Sequence, residues 1–160
     1  MKITTLSLAL LSAVAAPAPF SVTVVGPSGE SMEWTAATLE KLPVQEIEAV
    51  DPHSRAKARY TCVALSELLA RAGAPHGEDL RGPSLASYVL VEARDGYRVI
   101  FSLAELDPGI RDQDACLAFK KDGAPLADDV GPFRLVVPSD HRGARWVRQV
   151  ARATVVSLPK

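Results

Sequence analysis

Residues 88–101, "YVLVEARDGYRVIF", hold two β-rich runs around Asp95-Gly96. An Asp-Gly pair between such runs is a strong short-range signal for a hairpin, because both residues tolerate the positive φ of the favoured turn. A second signal of the same kind lies downstream, where "CLAFKKDGAPL" (116–126) runs as a strand into Asp122-Gly123. Beyond it, "FRLVVP" (133–138) and "QVARATVVSL" (149–158) read as the last two strands. Upstream, "FSVTVVGPSGESMEW" (20–34) gives two short strands around a Gly-Pro-Ser-Gly turn. "TAATLEKLP" (35–43) is a short helix stopped by Pro43, and "VQEIEAV" (44–50) alternates as a half-exposed strand.

The segments between are more polar. "DPHSRAKARY" (51–60) and "APHGEDLRGPSLA" (74–86) read as loops. Between those loops, "VALSELLARAG" (63–73) is an amphipathic helix with Leu65, Leu68, Leu69 and Ala72 on one face and Gly73 at its end. Ser102 and Glu105 stand at capping-box spacing, which predicts a short helix there. No alternating strand–helix rhythm is present, so the expected class is α+β, with mostly antiparallel or mixed β-sheets and a few short helices.

The chain has 160 residues and a net charge of −1. Its start, "MKITTLSLALLSAVAAPAP", places one lysine before an apolar run and ends on small residues around Ala13-Val14-Ala15. That order is the pattern of a secretory leader, read here as residues 1–16. The run is too short for a membrane-spanning helix, which needs about 20 residues. The remainder, residues 20–160, is one domain by length, with an exported, periplasmic or secreted destination and no membrane span. Near-neutral charge argues against a nucleic-acid partner.

Two cysteines, Cys62 and Cys116, admit a disulfide in an exported protein, but spacing alone does not pair them. No histidine or further cysteine stands at ligand spacing, so no residues are assigned to a metal. The histidines His53, His76 and His141 all fall in expected loops. His141 is singled out because it adjoins "RGARWVRQVAR" (142–152), which packs four arginines and Trp146 into eleven residues. Guanidinium forks match phosphate and carboxylate bidentately, so Arg134, Arg145 and Arg148 are candidates to converge on an anion. Trp146 could stack on an arginine or a planar ligand. The simpler alternative for the same pattern is a solvated charge run with Trp146 in the core.

Resemblance bears on that choice. "DACLAFKKDGAPLADDVGPFRLVVPSDHRGARWVRQVARATV", preceded by "RYTCVALSELLARAG" and "VLVEARDGYRVIFSLAELD", resembles the molybdopterin-binding domain of the sulfite oxidase family over residues 58–156. The family pattern is "W-x-G-V-x-L-x-D-L-L", then "G-[FP]-P-[VL]-R-[VL]-V-x-P", then "G-A-R-x-V-K-W". The resemblance implies that fold and a molybdopterin cofactor. It places Arg134 on the arginine near the cofactor's phosphate, Arg148 on a family lysine, and Asp95 near the aspartate that contacts the pterin. Asp129 stands where sulfite oxidases carry a pterin-contacting histidine, Trp146 replaces a serine, and the chain is one residue longer between Arg134 and Gly143.

The metal is where the chain departs most. The family ligates molybdenum through a cysteine upstream of "W-x-G-V-x-L", yet residues 20–59 contain none. Cys62 takes the glycine position of that motif, at the expected start of a helix. Two functions remain open. The first is a non-catalytic or accessory module that holds an anionic small molecule or contacts a partner protein. The second is a periplasmic molybdopterin-dependent oxidoreductase. Candidate cofactor-binding residues under either are Asp95, Arg134, His141, Arg145, Trp146 and Arg148.

Overall fold

The computed structural model describes residues 20–112 and 115–158. The segment read as a leader, residues 1–16, lies outside the described residues. Among the described residues, ten strands form two five-stranded sheets. β1 (Val22–Val25) and β2 (Ser31–Trp34) open the first sheet, whose order is completed by β10 (Val150–Val156), β5 (Tyr88–Ala93) and β6 (Arg98–Ser102). β3 (Val44–Val50), β4 (Lys57–Ala64), β7 (Cys116–Lys121) and β8 (Ala124–Pro125) follow one another across the second sheet, and β9 (Arg134–Val136) pairs with β7. Every pairing is antiparallel except that of β1 with β10, which is parallel and joins the first strand to the last.

Strand alternation explains the layering. In β5, Val89, Val91 and Ala93 point inward, while Tyr88, Leu90 and Glu92 occupy the other face. In β4 the inward set is Ala58, Tyr60 and Cys62. Both sheets contribute to one buried cluster. α1 (Ala36–Leu39) is held by Thr35, whose hydroxyl accepts from the Thr38 N–H while Thr38 caps the Thr35 N–H in return. α2 (Leu65–Arg71) drives Leu65, Leu68 and Leu69 into the core, each such burial contributing about 1.5–3 kcal/mol.

Three expectations need correction. The stretch 51–60 is not a loop throughout: its second half is β4, registered with Val50 opposite Lys57, and only 51–56 forms the turn. Its small and aromatic residues supply the alternation that the charged ones mask. The capping box at Ser102 is half made. Glu105 accepts the Ser102 N–H at 3.3 Å through one oxygen and Arg145 through the other, and the element is one 3-10 turn, Ala104–Leu106. Cys62 lies in β4 rather than at a helix start, no disulfide joins Cys62 to Cys116, and both are fully buried. Among the described residues no helix is long and apolar enough to cross a membrane.

Candidate functional site

Two hairpin tips, one from each sheet, meet the connection that carries the chain from β9 to β10. The 51–56 turn comes from the second sheet and the 93–97 turn from the first. Between them, residues 138–149 cross over and include a 3-10 turn, Gly143–Arg145. Both hairpins clasp this crossing segment. The Tyr97 hydroxyl donates to the Ala144 carbonyl at 2.7 Å. On the other side Gly143 lies so near the 51–56 turn that an added Cβ would stand 2.6 Å from Pro52 Cγ and 2.8 Å from His53 Cε1.

Two clefts flank that contact. One, of about 290 Å³, is lined by His53, Ala93, Asp95, Tyr97, Gly143, Ala144 and Arg148. The other, of about 520 Å³, includes Pro52, Arg55, Pro138, Asp140, His141, Arg142 and Gly143 on its walls. Together they match the size of small-molecule sites. Among the described residues, the exposed guanidinium groups of Arg55, Arg142 and Arg148 have no carboxylate partner. Asp95, which lines the smaller cleft, accepts the Tyr97 N–H through Oδ1 at 2.9 Å, an Asx turn. The clefts therefore carry three unpartnered guanidinium groups; of their carboxylates, Asp95 stands at the Arg148 end, while Glu48 and Asp140 on the larger cleft are engaged by Lys57, Arg59 and Arg145.

The expected convergence of Arg134, Arg145 and Arg148 on one pocket is corrected. Arg148 and Asp95 share the smaller cleft, and His141 lines the larger one. Arg134 is 2% exposed and donates from Nη1 to Asp51 Oδ2 at 2.6 Å. Arg145 is gripped bidentately by Asp140 at 2.8 and 2.6 Å, reaches Glu105 at 2.6 Å, and lies 4.4 Å above the Phe101 ring centroid. Those carboxylates, hydrogen bonds from Asp140 first, raise its pKa further above its ordinary value against the opposing effect of burial. Trp146 is core: its Nε1 donates to the Val137 carbonyl at 2.8 Å, and its ring meets Tyr60 edge-on. Asp129, in the family's histidine position, is exposed and lines neither cleft.

Asp51 organises the second-sheet turn. Its Oδ1 accepts the N–H groups of His53 at 2.8 Å and Ser54 at 3.4 Å, and its Oδ2 receives Arg134 and the Tyr60 hydroxyl. Burial alone would push this carboxyl up; the Arg134 hydrogen bond and the His53 N–H overcome that and hold it well below the usual carboxylate range. Burial likewise pushes the Tyr60 phenol up. Reading the sequence singled out none of Asp51, His53, Arg55, Tyr97 or Arg142. The legible signal was Asp51-Pro52 after a strand, since aspartate before proline commonly opens an Asx turn.

Sulfur lies elsewhere. Cys62 and Cys116 face the interior from β4 and β7 and line neither cleft. Among the described residues no group of three His, Cys, Asp or Glu side chains is arranged to hold a metal ion.

The oxidoreductase molybdopterin binding domain family matches this chain over residues 11–160. No curated protein matches it. Among solved structures, the sulfane dehydrogenase SoxCD from Paracoccus pantotrophus is similar, with a TM-score of 0.64 and 22% identity, across 86% of this chain and 38% of that one. That similarity shows the fold, and this chain spans well under half the length of the SoxCD chain. With the family matched across nearly the whole sequence, the chain belongs to the oxidoreductase molybdopterin binding domain family.

Proposed function

We propose that this domain is an exported module that binds an anionic small molecule, of the phosphorylated pterin class, in the clefts beside Gly143 and performs no molybdenum chemistry. The carrying observation is the pairing of exposed, unpartnered Arg148, Arg142 and Arg55 at the clefts with the burial of both thiols away from them. The residues fit the organic part of the family's cofactor and do not fit its metal. Arg148 and Arg142 would hold a phosphate, and Asp95 would accept from a pterin amino group. No thiolate stands at either cleft to ligate molybdenum.

Each charge-assisted hydrogen bond to an anion contributes about 1.5–3 kcal/mol. Arg148→Ala is therefore expected to weaken binding of inorganic pyrophosphate roughly 10- to 100-fold by isothermal titration calorimetry. Raising the salt concentration should weaken wild-type binding as well, because the clefts are open to solvent. Unchanged affinity in Arg148→Ala would remove this cleft from the site.

Family membership supports a second reading, a periplasmic molybdopterin-dependent oxidoreductase. It requires a metal held without a cysteine of this chain, and it predicts stoichiometric molybdenum in the purified protein.

A further inference from the structure

Arg134 is the largest fully buried side chain among the described residues, and it is oddly provided for. Only Nη1 has partners, Asp51 at 2.6 Å and the Tyr60 hydroxyl at 3.5 Å. Nε and Nη2 are buried without any. The Trp146 and Tyr60 rings lie 5.2 and 6.0 Å from its guanidinium carbon. Buried ion pairs stabilise a fold little compared with apolar side chains of the same volume, and idle buried donors oppose folding. A group kept on such terms is better explained by what it holds in place.

What it holds is Asp51. That carboxylate fixes the 51–56 turn from inside: Oδ1 takes the His53 and Ser54 N–H groups, and the backbone of Asp51 closes the turn onto Arg55 and Ala56. The turn presses Pro52 and His53 against Gly143, which divides the two clefts. We infer that Arg134 and Asp51 form an internal latch that positions the wall between the clefts, so that Arg134 is a positioning residue and touches no ligand. The inference rests on the proposed anion site for its binding readout only.

The two roles of Arg134 differ in sign. If its guanidinium bound the anion, Asp51→Asn would release it from its partner and tighten binding. If it is a latch, Asp51→Asn frees the turn and weakens binding of inorganic pyrophosphate by about tenfold, the size expected of an outer-shell support. The backbone amide signals of His53 and Gly143 should also move in the ¹H–¹⁵N spectrum of the ligand-free protein, while those of Val24 and Val89 in the first sheet stay. Tighter or unchanged binding, or unmoved His53 and Gly143 signals, would overturn the latch. Should Asp51→Asn fail to fold, Arg134→Lys keeps the charge but not the fork, and the same amide shifts with weaker binding are expected. If wild-type protein binds no pyrophosphate, the proposed function fails, and the amide shifts alone decide the latch.

Discussion

Asp51→Ala is expected to lower the unfolding free energy by about 3–5 kcal/mol, because it leaves the Arg134 charge buried with no counter-ion. Nη1 loses its carboxylate partner, Nε and Nη2 already have none, and no water-accessible face is available at 2% exposure. The loss should appear as a fall in the denaturation midpoint. The pH dependence has a definite sign. The native carboxyl titrates below its ordinary value of 3.8, so its contribution is fully present above that value and is lost as pH falls through the lower native one. Subtracting the Asp51→Asn stability profile from the wild-type profile should therefore leave a difference that is flat at neutral pH and shrinks in acid. A difference independent of pH would show that the carboxylate carries no charge-dependent stabilisation.

Gly26→Ala should be of similar size for an unrelated reason. Gly26 ends β1 against the last turn of α2, and a Cβ there would lie 1.7 Å from the Ala72 carbonyl oxygen and 2.9 Å from its carbon. Both obstacles are backbone, so relief requires moving α2 away from the first sheet. That exposes Leu65, Leu68 and Leu69, which α2 buries. Overpacking typically costs about 1–3 kcal/mol, and a clash with backbone belongs at or above the top of that range. Gly29 provides the internal comparison. It has φ of +87° and nothing within 4 Å of an added Cβ. Alanine there incurs only the left-handed backbone penalty of about 1–2 kcal/mol. Equal midpoints for the two variants in urea would contradict this account of the β1–α2 contact.

The strands and α2 were legible because their signals are local. Alternation in residues 88–101 and the Asp95-Gly96 pair determine the β5–β6 hairpin without reference to anything distant. Leu65, Leu68 and Leu69 do the same for α2. The parallel pairing of β1 with β10 was not legible, since neither strand carries a mark of a partner near the opposite end of the chain. β4 was half hidden because Lys57 and Arg59 alternate with alanine and tyrosine, and the charged residues dominate a reading by composition.

The arginines show the limit most clearly. Arg134 and Arg148 are the same residue type, fourteen positions apart along the chain. What separates a buried latch from a cleft-lining cation is Asp51, which lies 83 residues from Arg134 along the chain. Arg145 is withdrawn by Asp140, five residues away, together with Glu105, 40 residues away. Family resemblance placed Arg134 near a phosphate, and local pattern placed it among the candidates; neither registers a tertiary partner. Asp95 and Arg148 line the smaller cleft because each sits at a turn that the fold exposes.

The most direct measurement is the molybdenum-to-protein ratio, by elemental analysis, of this chain purified from a host that makes molybdopterin. Clefts lined by free guanidinium groups but no sulfur predict a ratio near zero, with anion binding retained and sensitive to Arg148→Ala. A ratio near one metal per chain would contradict the account, because it would require the metal to be held by groups other than the two buried thiols.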